Sequence, residues 1–274
     1  EYILEKPHNH ISDSHLCFLK NMSYQPVPSQ PPAYGEDPAA RSMGDNVPDD
    51  FKYSVNVASC ELPVRQMFVR KVYALLSVQI FATVLVGYII RLHEPLRNWC
   101  LSNIWLYIVS IVGTLGFAIG ANIKARSYPI NLILLGGFTL CELYGVGLAC
   151  LFVETDAVVQ ALLITFMVFI GLTIFAFQTR YDFRSWQGVL GISVWALIAI
   201  GFVNMFFPGN SKGFEMLYSG AGALIFSAYI LVDTQHLMKT YSLDDEVSAA
   251  IALYLDILNL FLFILRLLQS RSDD

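Results

Sequence analysis

Seven long runs of apolar residues, separated by short polar segments, occupy residues 72 to 268 of the chain. A bilayer core about 30 Å thick is crossed by roughly 20 helical residues, because each residue advances about 1.5 Å. Each run is long enough to cross, and none alternates apolar and polar positions as a barrel strand does. The pattern predicts an all-α integral membrane protein, a bundle of seven transmembrane helices, with spans at 72–90, 101–123, 130–153, 157–177, 188–207, 214–238 and 247–268.

The composition agrees with this prediction and excludes other classes. Hydrophobic residues make up 55% of the chain and charged residues 14%, and the mean hydropathy is +0.54, outside the range of ordinary soluble domains. The segments between the runs are short, so any chemistry is expected inside the bundle. A net charge of −5 gives no nucleic-acid signature. The five cysteines form no CxxC pair, which argues against a zinc site or a disulfide framework.

The residues before the first run have a different composition. Residues 22–50 are rich in proline, serine and acidic groups, so they bury too little apolar surface to fold alone. We predict a disordered cytosolic tail over 1–60, followed by a membrane domain over 64–270. Met22 opens the proline-rich part, and we interpret residues 1–21 as lying upstream of the natural start.

One short motif in the tail has a binding interpretation. The sequence Pro31-Pro32-Ala33-Tyr34 matches the polyproline pattern that WW domains grip between aromatic side chains. Four residues are a weak signal, and the alternative is a solvated tail that tolerates prolines. A WW-domain protein is therefore one partner to test.

Basic residues flank the spans unequally, which predicts the orientation, because Lys and Arg are retained in the cytosol. A cytosolic amino terminus leaves three basic residues on the outside: Arg91, Arg97 and Lys212. It places eight on the inside: Arg65, Arg70, Lys71, Lys124, Arg126, Arg180, Arg184 and Lys239. Seven spans then put the carboxyl terminus on the far side, and a re-entrant last segment would return it to the cytosol.

Three carboxylates lie inside the apolar runs, where a charged side chain costs about 2.5 to 3.5 kcal/mol and normally faces a partner or a wet cavity. They are Asp233 in the sixth span, Asp256 in the seventh and Glu142 in the third. Polar residues recur every three or four positions around Asp233, which aims that face inward. Asn259 shares a helix face with Asp256 by the same spacing.

The last two spans are joined by the short segment "YSLDDE", so they are antiparallel neighbours. Asp233 and Asp256 then lie at depths that differ by roughly 6 Å, a gap that tilt and side-chain reach can close. Two such acids away from water share one proton readily, and in the ionised form they offer oxygen ligands to a hard cation such as calcium. The plainer alternative is one interhelical hydrogen bond, worth about 0.6 to 2 kcal/mol.

Two further residues each allow two interpretations. His236 lies near the cytosolic edge, where an interfacial role and a proton relay are both open. Glu142 is either a cavity carboxylate or a local partner of Thr139.

The segments "SAYILVDTQHL" and "LYLDILNLFLFILRLL" resemble the paired end motifs of the Bax inhibitor family, the transmembrane Bax-inhibitor-motif proteins. The resemblance extends from "VRQMFVRKVYALLSVQ" to the last helix and is to a eukaryotic, fungal-type member. It implies a seven-helix bundle with the last helix central. It also implies a pH-dependent calcium leak channel of an intracellular membrane that modulates calcium homeostasis and programmed cell death.

The resemblance assigns roles to particular residues. The family's aspartate pair, the proton-sensitive gate that also meets the metal ion, falls on Asp233 and Asp256. Its basic latch falls within "NIKARSYP", on either Lys124 or Arg126. Glu142 matches an acidic position of the third span, so Glu142, together with His236 and Asn259, is assigned to the ion pathway. The membrane expected is the endoplasmic reticulum, with vacuolar, Golgi and mitochondrial membranes as alternatives.

Two rival classes remain at this stage. An interaction protein would regulate cell death through Bcl-type regulators or through the tail motif, without conducting ions. An intramembrane aspartyl protease also places one aspartate on each of two helices. Those proteases carry Gly-x-Gly-Asp, whereas "LYL" precedes Asp256 here, so we expect no enzymatic activity and no tightly bound cofactor, with calcium as the transported ion.

Overall fold

The computed structural model describes residues 57, 62–207 and 211–272, and within these residues the protein is all helical, without β-strands. Seven helices are long and apolar enough to cross a membrane, which confirms the predicted fold class. In chain order the helices are α1 (Leu62–Leu92), α2 (Glu94–Ser102), α3 (Trp105–Ile123), α4 (Ile130–Leu151), α5 (Thr155–Gln178), α6 (Gln187–Phe206), α7 (Lys212–Lys239) and α8 (Glu246–Ser272). A short 3-10 turn, Phe183–Trp186, leads into α6.

The structure corrects the predicted boundaries at the first two spans. Helix α1 begins at Leu62, ten residues before the predicted start, and Phe68 in this extension is buried against the core. The predicted second span, 101–123, begins instead at Trp105, because a separate helix, α2, precedes it. Asn103 ends α2, and its backbone amide and side-chain amide both donate to the carbonyl of Trp99.

Helix α8 is the centre of the bundle, as the resemblance implied. Of its membrane-spanning stretch 67% is buried inside the protein, against 33% or less in every other span. It packs against α1, α3, α4, α5 and α7, and its most extensive contact is with α7. The ring of Tyr254 is fully buried and meets Phe138 of α4 edge to face, 5.7 Å between centroids. Any side chain that α8 directs toward α7 is therefore removed from lipid.

The outward faces of the other spans are apolar, as a lipid environment requires. Phe81, Ile123, Ile192 and Leu224 each expose 68% or more of their surface. In a bilayer such side chains contact acyl chains, and every backbone polar group must be satisfied within its own helix. The hydropathy of the runs thus follows from lipid contact. Polar residues at exposed positions, such as Ser77 and Asn122, donate to the carbonyl four residues earlier in their own helix.

Candidate functional site

The site centres on Asp233 of α7 and Asp256 of α8, which the structure brings together. Their carboxyl groups lie within interaction distance of each other. Asp256 is 5% exposed and Asp233 is partly buried. The contact arises because α7 and α8 are antiparallel and joined by the short turn between Lys239 and Glu246. The axial offset inferred from the sequence is therefore closed by packing.

This pair needs a proton to hold together. Two carboxylate oxygens can form a hydrogen bond only when one carries a hydrogen, and two buried anions at that distance would repel each other. Among the described residues, no N–H or hydroxyl donor reaches the buried Oδ2 atom of Asp256. A shared proton is therefore what can bind the two carboxyl groups to each other.

Two tyrosines flank the pair. Tyr229 of α7 and Tyr241 of the α7–α8 turn both lie within electrostatic reach of Asp233 and Asp256. Burial raises the pKa of Tyr241, and the negative charges of Asp233, Asp256 and Asp245 raise it further. Tyr241 therefore stays protonated over the physiological range, so it adds no negative charge to the acid pair.

Basic residues from two other parts of the bundle meet the α7–α8 turn. Arg126, between α3 and α4, places its Nε 3.4 Å from Oδ1 of Asp245, and Lys71 of α1 places its Nζ 3.9 Å from Oε1 of Glu246. Asp245 also accepts the backbone N–H of Ser242 at 3.2 Å. These ion pairs cover the turn that follows Asp233 in the chain. We name them the turn ion pairs.

The two latch candidates, Arg126 and Lys124, differ in their contacts. Arg126 contacts Asp245 of the turn and is not bonded to Asp233 or Asp256. Lys124 lies at the end of α3 with an exposed side chain and forms no ion pair within the described residues. Arg126 is thus the candidate in contact with the turn, and its action as a latch stays a prediction.

A residue that the sequence did not single out adjoins the same turn. Val57 is fully buried, and its backbone N–H donates to the carbonyl of Tyr241 at 3.0 Å. It belongs to the same apolar core as Leu237 and Val247 at the two sides of the turn. A single valine in a polar segment carries no periodic pattern, so no sequence signal could have found it.

Other predicted site residues lie apart from the pair. Asn259 donates from Nδ2 to the carbonyl of Leu255 in its own helix at 2.8 Å. The carboxyl group of Glu142 interacts with the hydroxyl of Thr114 on α3, while the hydroxyl of Thr139 donates to the carbonyl of Leu135 at 2.8 Å. The structure does not join either side chain to the aspartates, and their assignment to an ion pathway stays a prediction.

His236 lies beside another charged pair. It is partly buried and within electrostatic reach of Arg184 and Asp182, which precede α6. Arg184 donates to Asp182, with Nη2 2.7 Å from Oδ2, and these hydrogen bonds hold the pKa of Asp182 well below its ordinary value. The basic and acidic groups near His236 are thus already paired. The tail motif Pro31-Pro32-Ala33-Tyr34 lies outside the described residues.

Several buried polar residues were missed by the sequence reading. Gln235, fully buried on α7, accepts from the amide of Phe183 and donates to the carbonyl of Tyr181, both at 2.8 Å. Between α1 and α8, the hydroxyl groups of Thr83 and Tyr254 are 2.7 Å apart. A signal was available, since each is a polar residue inside an apolar run.

The fold and the site define a class: a seven-helix integral membrane protein whose central last helix presents a buried acid to its neighbour. The sequence profile described as "Inhibitor of apoptosis-promoting Bax1" matches residues 65–273. The chain belongs to this Bax inhibitor family of anti-apoptotic membrane proteins.

The similarity to known relatives extends over nearly their full lengths. The chain is 36% identical over 262 residues to "Bax inhibitor 1" of Schizosaccharomyces pombe, covering 92% of this chain and 98% of that protein. It is 36% identical over 225 residues to "Protein lifeguard 4" of Mus musculus, covering 82% and 94%. It is 33% identical over 228 residues to the "Golgi anti-apoptotic protein" of Vaccinia virus, covering 83% and 95%. Fungal-type membership is consistent with the yeast relative.

Proposed function

We propose that this protein is a pH-sensitive, calcium-permeable leak channel of an intracellular membrane, with Asp233 and Asp256 as the proton-sensitive gate. The observation that carries the proposal is the close approach of these two acids, one buried and one partly buried, on the two helices that pack most extensively against each other. The leak would modulate calcium homeostasis and programmed cell death. The endoplasmic reticulum is the membrane we favour, and the amino terminus is assigned to the cytosol. No catalytic role is proposed.

The gate works by exchange of a proton for a cation. With one proton the pair clasps α7 to α8; without it, two anions repel and their oxygens become free for calcium. Calcium takes six to eight oxygen ligands, and two carboxylates supply about four at most. Among the described residues no third His, Cys, Asp or Glu completes a cluster around the pair. Incomplete ligation suits a transported ion, which must leave as readily as it enters.

The turn ion pairs give the proposed gate a cover. Arg126, between α3 and α4, and Lys71 of α1 form ion pairs with acids of the α7–α8 turn, and the backbone N–H of Val57 donates to the carbonyl of Tyr241 in the same turn. A cation that leaves the acid pair on this side would have to pass this turn. The cover is weak by itself, because the side chains of Arg126 and Lys71 are 54% and 57% exposed and such pairs are screened by salt.

The replacement of Arg126 by glutamine tests the cover. We expect a Tm lower by at most about 4 °C, because an exposed ion pair contributes about 0.2 to 1 kcal/mol and one kcal/mol corresponds to about 2–4 °C in a chain of this size. The difference should vanish in high salt, while the calcium leak should rise. Lys124→Gln is the matched control and should change neither quantity. Equal leak rates for Arg126→Gln and Lys124→Gln would contradict a covering role.

A second candidate function is favoured by the tail motif and by the names of the relatives. An adaptor would act on cell death through Bcl-type partners, or through a WW-domain protein that binds Pro31, Pro32 and Tyr34, without conducting ions.

The purified protein in calcium-free vesicles, with and without residues 1–50, separates the two functions. A channel should admit calcium at a rate that changes with pH in both forms, since the acid pair lies outside the deleted part. An adaptor would show no flux above empty vesicles and would lose its partners with the tail. Absence of flux at every pH, with partner binding retained by the full chain, would reject the channel.

A further inference from the structure

Three helices present buried hydroxyl groups to one another. They come from Tyr73 of α1, Thr173 of α5 and Thr234 of α7, and the Tyr73 hydroxyl interacts with both threonines. Thr234 is fully buried and Thr173 is 8% exposed. Thr234 follows Asp233 directly in the chain. We name these three residues the hydroxyl triad.

None of the three oxygens completes a hydrogen bond with protein. The contacts fall short of hydrogen-bond geometry, and the hydroxyl oxygens of Tyr73, Thr173 and Thr234 all remain without a partner among the described residues. Buried hydroxyl groups rarely lack a hydrogen-bond partner, because the free energy lost with their hydration is then not recovered. The three hydroxyl groups therefore lie near one another with hydrogen-bonding capacity that protein atoms leave unfilled.

Other buried threonines of the bundle behave differently. The hydroxyls of Thr83, Thr139 and Thr165 each donate to the carbonyl four residues earlier in their own helix, at 2.8, 2.8 and 2.7 Å. This is the usual way in which a helix satisfies an internal threonine. Thr173 and Thr234 have the same option and do not take it. Both side chains instead interact with the hydroxyl of Tyr73.

We propose that the hydroxyl triad binds one ordered water molecule that joins α1, α5 and α7. A water molecule donates two hydrogen bonds and accepts two, and internal waters typically make about three bonds to polar groups that protein atoms leave unsatisfied. A hydroxyl group can either donate or accept a hydrogen bond, so three hydroxyl groups can bond to one water molecule at the same time. A metal cation fits less well, because it accepts no hydrogen bond and the three ligands are neutral.

The sign of the stability change tests this site. With a bridging water, Tyr73→Phe, Thr173→Val and Thr234→Val each remove one of its bonds and should lower the Tm by a few degrees. The double variant Thr173→Val/Thr234→Val should fall by less than the sum, because both changes act on one molecule. Without a water, each variant removes an unsatisfied hydroxyl, so an unchanged or higher Tm overturns the proposal. Thr165→Val is the matched control for removing a threonine hydroxyl bonded within its own helix.

A second measurement does not depend on the variants folding well. Radiolytic footprinting in isotopically labelled water marks side chains next to bound water, so Tyr73 should be oxidised and Thr234→Val should reduce that labelling. Tyr254, whose hydroxyl meets Thr83, is the buried tyrosine for comparison. Labelling of Tyr73 as low as that of Tyr254 would overturn the proposal. So would a Tm that depends on whether sodium, potassium or choline is the cation, since a metal would then occupy the triad.

Discussion

Replacement of Asp256 by asparagine should abolish the pH dependence of calcium leak in reconstituted vesicles. Asparagine has the shape of aspartate and stays neutral at every pH, so ionisation of Asp233 no longer leaves two anions that repel each other. The amide can still donate to Asp233, which preserves the contact between α7 and α8. The leak should therefore be constant between mildly acidic and mildly alkaline pH, while the wild-type leak changes over that range. Asp233→Asn should have the same effect.

The control for this experiment is an acid outside the bundle interior. Asp156, exposed in the first turn of α5, serves as Asp156→Asn, which removes a carboxylate without touching the pair. This variant should keep the wild-type pH profile. Thermal unfolding of all variants distinguishes a lost gate from a lost fold. If both Asp233→Asn and Asp256→Asn keep the wild-type pH profile, the gate proposal is rejected.

Gly222→Ala should destabilise the bundle, whereas Gly220→Ala on the same helix should stabilise it. A Cβ atom at Gly222 would overlap the ring of Phe263 on α8, and that ring is already stacked on Phe226 with 5.7 Å between centroids. Added volume in a packed core costs about 1–3 kcal/mol, or about 2–12 °C in Tm. At Gly220 no neighbouring atom lies within 4 Å of the added Cβ atom. The expected effect is therefore the helix preference of alanine over glycine, about 1 kcal/mol.

Opposite signs at two positions in one helix make this test specific. Both changes are glycine to alanine, so backbone effects are alike and only the neighbour differs. The measurement is the Tm in detergent or nanodiscs, with the yield of folded monomer. A rise in Tm at Gly222 would mean that α7 and α8 are not packed as closely as described. The pH profile of Gly222→Ala is informative as well, because Asp233 and Asp256 meet on these two helices.

Much of the fold was predictable because the bilayer acts on each span separately. Every span must be long, apolar and helical, so hydropathy alone marks it. The prediction was wrong where that demand is absent: the first ten residues of α1 are partly polar, and α2 is too short to cross. Both segments are held by packing or capping, which a count of apolar residues does not register.

The candidate site was predictable only in part. Asp233 and Asp256 could be paired because a short turn makes α7 and α8 neighbours, and an acid in an apolar run demands a partner. Glu142 and Asn259 carry the same kind of signal, yet Asn259 bonds to the carbonyl of Leu255 and Glu142 lies within interaction distance of Thr114. Polarity in a span thus marks a residue that needs a polar partner, and it does not identify that partner.

The sequence by itself determined that this is a membrane protein of seven helices and that its last two spans each carry an inward acid, because these properties depend on composition and on spacing along one helix. Tertiary structure alone decided that Arg126 meets Asp245, that Val57 lies under the α7–α8 turn and that three hydroxyls converge between α1, α5 and α7. Such contacts join residues far apart in the chain. Their distances depend on helix rotation and tilt, which are set by packing against all neighbours at once.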